Sequence, residues 1–274
     1  MTDALLQVDD LGLDVPDLNA PRRWGQPPPW RTLLSGVSFT LPAGGALGVI
    51  GESGSGKSTL ARALTLLLPP QRGRLRFQGQ EVAGLQGAAL VAYRAQLQLV
   101  FQDPMSALNP RRTVGHSIAQ PAQALGRLQG RTPAALAAAL LDRVGLPAAF
   151  ASRYPHELSG GQRQRVNIAR ALALQPAALI ADEVTSGLDV SAQARIVTLL
   201  DELRRELGLA LIFISHDLGL VRSLCDDLLI LRQGKVVEQV PADTVFAAPG
   251  QAYTRALLQA IPLPDPDLAW LDRD

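Results

Sequence analysis

One nine-residue stretch, Gly51-Glu52-Ser53-Gly54-Ser55-Gly56-Lys57-Ser58-Thr59, restricts the fold of this chain more than anything else in it. It fits glycine, four residues, then Gly-Lys-Ser, the pattern of a loop that wraps a polyphosphate. The apolar run Ala46-Leu47-Gly48-Val49-Ile50 before it reads as a strand, and Lys57 to Leu68 after it reads as a helix. That strand–loop–helix setting is the context the pattern requires. Gly51, Gly54 and Gly56 let the backbone turn sharply and approach a phosphate without Cβ clashes. Backbone N–H groups of the loop and the positive end of the following helix then face the anion. Lys57 is expected to reach the β- and γ-phosphates and the Ser58 hydroxyl to ligate Mg²⁺, with Glu52, Ser53, Ser55 and Thr59 completing the segment.

Composition sharpens Lys57. Of the 26 Lys and Arg residues only Lys57 and Lys235 are lysine. Lysine is kept where a compact ammonium on a flexible stem is needed and a planar guanidinium would fit poorly. The formal net charge of +1 gives no electrostatic case for nucleic-acid binding. The single cysteine, Cys225, excludes an intrachain disulfide framework and a cysteine-built zinc site. The start, Met1-Thr2-Asp3-Ala4, has no basic region followed by an apolar core, so no secretory signal is expected. No apolar run reaches the roughly 20 residues that span a bilayer.

The rest of the chain alternates strand and helix signals. Leu5 to Val15, Val37 to Leu41, Arg74 to Gln78 and Leu97 to Phe101 read as strands, and the proline-rich run Pro21 to Trp30 reads as a loop. Thr113 to Tyr154 reads as mostly helical, with Pro133 at a first helical position after an N-capping Thr132. This predicts a helical subdomain, about residues 105–165, inserted into an α/β core. Beyond it come a helix over Arg163–Leu174, a strand over Ala178–Asp182 and a helix over Ser191–Leu207 closed by Gly208. A strand over Leu209–Ile214 and a strand pair around Gln233-Gly234 follow. The fold class is therefore α/β: a mostly parallel, doubly covered sheet of the phosphate-loop NTPase kind, with an N-terminal antiparallel β subdomain. Functional residues should lie at the carboxyl ends of its strands.

Several candidates do. Asp182 and Glu183 end an apolar strand; such pairs are commonly just solvated, but beside a phosphate loop the first holds Mg²⁺ and the second orients or deprotonates the attacking water. His216, after the strand ending at Ile214, can reach a γ-phosphate or the Glu183 carboxylate. His116 and His156 have no such setting. Gln102 can offer a side-chain oxygen to Mg²⁺. The predicted metal set is Ser58, Gln102 and Asp182.

With Leu158-Ser159-Gly160-Gly161-Gln162 between Gln102 and Asp182, and Ser186-Gly187-Leu188-Asp189 between Glu183 and His216, the chain resembles the nucleotide-binding subunits of ATP-binding cassette (ABC) transporters. The likeness covers about residues 5 to 245. It implies an ATPase that uses ATP and Mg²⁺ and pairs head to tail with a second cassette, identical or paralogous. Each ATP would lie between one phosphate loop and the other subunit's Ser159, Gly160, Gly161 and Gln162, and Asp189 would sit in the loop facing that partner. Ser159 and the two glycines open a helix beginning near Gln162, which presents a hydroxyl, N–H groups and a helix dipole to a phosphate.

Phe101 to Arg111, Arg153 to Leu158, Asp189 to Gln193 and the tail Ala252-Tyr253-Thr254-Arg255-Ala256-Leu257-Leu258 look like the dipeptide, oligopeptide and nickel importers. That likeness implies two permease subunits, an extracytoplasmic solute-binding protein and a peripheral place on the cytoplasmic face of a bacterial inner membrane. Residues 1–245 would form the ATPase domain and 246–274 a tail of the peptide-importer type. A soluble cassette acting on DNA or ribosomes, or an exporter cassette, would be the alternatives; the long coiled coils, zinc cysteines, fused cassettes or fused spans usual there are missing. The chain departs from the family pattern at Val184, where proline is usual, and at Gly187, where alanine is common. Gly12-Leu13-Asp14-Val15 also lacks the adenine-stacking aromatic, leaving Trp24 or, preferably, Trp30 for that role. With Cys225 as the only cysteine, the iron–sulfur extension of some relatives is not expected.

Overall fold

The computed structural model describes residues 4–17, 27–247 and 249–259. Two sheets form the frame. β1 (Ala4–Pro16), β2 (Trp30–Pro42), β4 (Arg72–Phe77) and β5 (Gln80–Glu81) make an antiparallel sheet in the order β2-β1-β4-β5. β3 (Ala46–Ile50), β6 (Leu97–Val100), β7 (Ala178–Asp182), β8 (Ala210–Ile214), β9 (Asp227–Arg232) and β10 (Lys235–Pro241) make a second sheet in the order β10-β9-β3-β8-β7-β6. Only the β9–β10 pair in it is antiparallel.

The helices are α1 (Lys57–Leu64), α2 (Gly87–Gln96), α3 (Pro104–Ala107), α4 (Val114–Ala124), α5 (Pro133–Arg143), α6 (Gly160–Leu172), α7 (Val190–Leu207), α8 (Leu218–Leu224), α9 (Ala242–Ala247) and α10 (Ala252–Gln259). β3, β7 and β8 are buried throughout and almost wholly apolar because both faces are covered. Ala46, Ile50, Leu179, Ala181, Leu211, Phe213, Leu228 and Ile230 face the core shared with α4 to α7. Their alternates Leu47, Val49, Ala178, Ile180, Ala210, Ile212, Leu229 and Leu231 face the core shared with α1 and the antiparallel sheet. The two-residue period of a strand divides each run between two cores.

Gly48 is the exception in β3, because α8 crosses it too closely for a side chain. A Cβ there would lie 2.3 Å from Val221 Cγ1 and 2.7 Å from Leu228 Cδ2. Gly48→Ala is expected to destabilise the chain by about 1–3 kcal/mol, the usual cost of overpacking a core, read as a lower urea midpoint at unchanged slope.

Three expectations need correction. The helix after the phosphate loop ends at Leu64, not Leu68. Tyr93 and Arg94 donate to the carbonyls of Leu64, Thr65 and Leu66, and Leu66 takes φ +56°. The run before Val37 is strand from Trp30 onward, because β1 pairs with it from Pro16↔Trp30 to Ala4↔Pro42. The helix after the Ser-Gly-Gly motif begins at Gly160, since Ser159 itself is the N-cap. Trp24 and the tail from residue 260 lie outside the described residues. Elsewhere the expected caps hold: the Thr132 side chain accepts from Ala135 N, and Gly208 closes α7 in the left-handed conformation.

Candidate active site

The carboxyl ends of β3, β6, β7 and β8 point the same way. Val49 and Asp182 both pair with Ile214, and Val100 pairs with Ala181. The residues that follow these ends therefore meet along one edge of the sheet, where open α/β sheets bind their ligands.

The phosphate loop leaves β3 at Gly51, with φ +152° and its Cα so close to β9 that a Cβ would fall 2.2 Å from the Leu231 carbonyl oxygen. Only glycine fits. Ser55 N donates to Glu52 O at 3.1 Å, and Gly234, in the β9–β10 turn, donates its N–H to Ser55 O at 2.8 Å. That turn was not picked out as part of the site from sequence; its Gln-Gly pair signals a hairpin, not a loop support.

Lys57 is 5% exposed. Its ammonium donates to Gly51 O at 2.8 Å and Glu52 O at 3.0 Å and lies 3.9 Å from Glu183 Oε1. Burial lowers its pKa, and the Glu183 and Asp182 carboxylates oppose that shift. Ser58 Oγ donates to Asp182 Oδ1 at 3.1 Å. Burial raises the pKa of Asp182, while the Ser58 hydrogen bond lowers it. Gln102 Nε2 donates to Glu183 Oε2 at 2.8 Å.

Glu183 holds φ +48°, and its N–H donates to Ile214 O at 2.9 Å. Non-glycine residues take this region rarely. Here it accompanies a carboxylate that touches both Lys57 and Gln102.

The arrangement fits a bound magnesium nucleotide. Ser55 Oγ is buried inside the loop without a partner, an orphan that a phosphate oxygen would satisfy. Ser58, Asp182 and Gln102 carry oxygens of the kind that would ligate Mg²⁺ if phosphates and water completed its shell. Among the described residues no group of three or more His, Cys, Asp or Glu could hold a metal ion.

Lys57, Ser58, Gln102, Asp182 and Glu183 thus form one network, and the other candidates stand apart from it. His216 follows β8 with its side chain exposed. Trp30 opens β2 and is 68% exposed. Ser159 caps α6 in a capping box: its Oγ accepts from Gln162 N at 3.3 Å, and its own N–H donates to Gln162 Oε1 at 2.9 Å. A hydroxyl that accepts still keeps its proton to donate. Asp189 caps α7, accepting from Ala192 N at 2.8 Å and Ser191 Oγ at 2.6 Å, and these bonds lower its pKa. Ser159, Gly160, Gly161, Gln162 and Asp189 line a cavity of about 600 Å³ to which no residue of the loop 51–59 contributes.

Two residues of α6 that sequence reasoning missed, Asn167 and Arg170, join these regions. Asp103 caps α3 directly after Gln102. Asn167 Nδ2 donates to Pro104 O at 3.2 Å, and Arg170 donates to Ala107 O. Both sit on α6, the helix capped by Ser159. The Gln102 segment and the Ser-Gly-Gly motif are therefore tied to one helix. Their place in the helix expected over Arg163–Leu174 was visible; their partners, 63 residues away, were not.

Comparison with known proteins is consistent with this geometry. A family model described as ABC transporter matches residues 34–186. A probable peptide ABC transporter ATP-binding protein of Sinorhizobium fredii is 48% identical over 272 residues, 99% of this chain and 76% of its own. The oligopeptide transport ATP-binding protein OppF of Escherichia coli is 43% identical over 265 residues, 96% of this chain and 79% of its own. Among solved structures, the ATP-binding cassette MJ0796, a dimeric post-hydrolysis state bound to ADP and Pi, superposes with a TM-score of 0.74 at 26% identity. That match covers 86% of this chain and 98% of the cassette.

Proposed function

This chain belongs to the ABC transporter family, and from that premise we infer that it is the ATP-hydrolysing subunit of an importer for di- or oligopeptides. The observation that carries the reading is the network joining Lys57, Ser58 and Asp182 to Gln102 and Glu183. The peptide class rests on its relatives, which are named for peptide and oligopeptide transport; nickel is the alternative cargo.

In this reading residues 51–59 bind the polyphosphate of ATP through backbone N–H groups, and Lys57 neutralises charge on the β- and γ-phosphates. Ser58, Asp182 and Gln102 hold Mg²⁺, which when bound neutralises charge developing on the phosphate oxygens. Glu183 accepts the proton of the attacking water or orients it, and His216 fixes that water or the carboxylate. Trp30 stacks on adenine.

One chain carries one phosphate loop and one Ser-Gly-Gly motif, so a second cassette completes each site, with Ser159 to Gln162 on its γ-phosphate and Asp189 at the seam. Residues 1–245 act as the ATPase unit, with the helices within about 105–165 as its inserted part and 246–274 as its tail. Among the described residues no helix is long and apolar enough to cross a membrane. Two permease subunits carry the cargo, a solute-binding protein delivers it, and the chain works peripherally on the cytoplasmic face of the inner membrane, without nucleic acid.

Co-purification through this chain from detergent-solubilised membranes tests the assignment. Permease subunits, and peptide-stimulated ATP hydrolysis once binding protein is added, are expected. Stimulation by Ni²⁺ and not by peptides would move the cargo class, and ribosomes or DNA in place of permeases would end the importer reading. Lys57→Ala tests the loop. It removes the only side-chain cation in this network, and charged hydrogen bonds contribute about 1.5–3 kcal/mol, so MgATP affinity of the isolated chain should fall about tenfold to a hundredfold. Thermal stabilisation by MgATP should shrink with it; undiminished stabilisation would place the nucleotide elsewhere.

A further inference from the structure

The tail motif at Ala252 to Leu258 has no part in the site described above, yet the structure brings it against the phosphate loop. Glu238 on β10 fixes the start of α10. Its carboxylate accepts from Gly250 N at 3.0 Å and Gln251 N at 3.3 Å, and also from the buried Thr254 hydroxyl. Arg255 donates back to Pro249 O and Gly250 O at 3.0 and 3.1 Å. Tyr253, Leu257 and Leu258 pack on the core shared with α4 to α7. Held in this way, Tyr253 places its hydroxyl oxygen 3.2 Å from Glu52 N, while the Arg232 guanidinium lies over its ring, 4.8 Å from the centroid.

The bond to Glu52 N falls on a particular peptide. The carbonyl of the Gly51–Glu52 peptide accepts from Lys57 Nζ at 2.8 Å, and the N–H of the same peptide donates to Tyr253. In a planar trans peptide the C=O and N–H point in opposite directions. Lys57 and Tyr253 therefore grip one peptide from its two sides. An ammonium on the carbonyl also makes the N–H a better donor, so each bond strengthens the other. Gly51, without a side chain, offers little local resistance to rotation of this peptide.

Resting on the reading that residues 51–59 bind ATP, we propose that Tyr253 is a positioning residue of the phosphate loop. Its hydroxyl fixes the Gly51–Glu52 peptide, and through it the Lys57 ammonium, so that docking of α10 sets the affinity of the chain for MgATP. Its hydroxyl meets the loop at Glu52 N, so it acts through the loop backbone.

Tyr253→Phe in the full chain keeps the ring, its packing and the Arg232 contact, and removes only the hydroxyl. The dissociation constant for MgATP is expected to rise about threefold to tenfold, the range one hydrogen bond supports. In the assembled transporter KM for ATP should rise by the same factor at unchanged kcat, with the nucleotide-free thermal midpoint unmoved. Glu238→Ala, which unseats α10 but leaves the hydroxyl, should weaken MgATP binding in the same direction. Lys57→Ala serves as the reference. If it leaves MgATP binding intact, the loop is not the site and the underlying reading fails. If Lys57→Ala weakens binding while Tyr253→Phe and Glu238→Ala bind like the parent, the tyrosine merely packs and the proposal is overturned. Should the thermal midpoint of Tyr253→Phe fall, the kinetic split decides: raised KM at unchanged kcat supports positioning, and lowered kcat at unchanged KM overturns it.

Discussion

Glu183→Gln is expected to lower ATP turnover about a hundredfold to ten-thousandfold while leaving MgATP bound at least as tightly as in the parent. The range is that of a lost general base. The amide keeps the size and planarity of the carboxylate and can still meet Gln102, 2.8 Å away, but it cannot take a proton from water. It also removes a negative charge 3.9 Å from the Lys57 ammonium, in the space where a γ-phosphate would add its own charge. Loss of that repulsion favours the anion. Glu183 also helps to keep Lys57 protonated against its burial, so the variant's Lys57 pKa should fall further, and bound phosphate takes over the role of counter-charge. Rapid-quench turnover together with equilibrium binding checks the prediction. Near-parental turnover with both sites of a transporter carrying the change would remove Glu183 from the chemistry.

Ser159→Arg is expected to separate binding from hydrolysis. None of the loop residues 51–59 lines the cavity at Ser159, so the isolated chain should bind MgATP nearly as before. In the complex, a guanidinium on a long stem would occupy the place proposed for the partner's γ-phosphate. Hydrolysis should fall about a hundredfold to a thousandfold, comparable with the loss of an oriented donor at a reacting centre. Losing the serine cap costs about 0.5–2 kcal/mol, and the retained MgATP binding shows that the chain still folds. A mutant that stays folded yet loses ATP affinity as a monomer would put Ser159 in its own subunit's site.

The parts of this fold that could be read from sequence are those whose causes are local. The strand at 178–182 was legible to the residue because Gln175-Pro176 and Asp182-Glu183 bound an unbroken apolar run. The caps at Thr132 and Gly208 rest on a side chain or a φ value within a few residues of the helix end. α8 could have been found the same way, since Asp217 accepts from Gly219 N and Leu220 N. α2 could not, its Ala-Ala-Leu-Val-Ala run having no apolar face to mark it.

What escaped depends on residues far along the chain. α1 stops early because Tyr93 and Arg94, about thirty positions away, take its last carbonyls. The positive φ of Glu183 goes with a bond from its N–H to Ile214 O. Gln102 meets Glu183 across 81 positions, and Tyr253 meets Glu52 across 201. The motifs named the candidate residues; only the folded sheet shows which of them touch.

Hydrogen exchange on Glu183→Gln, as the isolated dilute chain and in the assembled transporter, with and without MgATP, tests the two-chain site most directly. In the isolated chain MgATP should protect amides of Gly54 to Ser58 and leave those of Gly160 to Gln162 unchanged. In the transporter both segments should be protected, because the second cassette's nucleotide then faces the start of α6. Protection of Gly160 to Gln162 in the isolated chain at concentrations where it remains a monomer would contradict this, since one chain would then enclose its nucleotide alone.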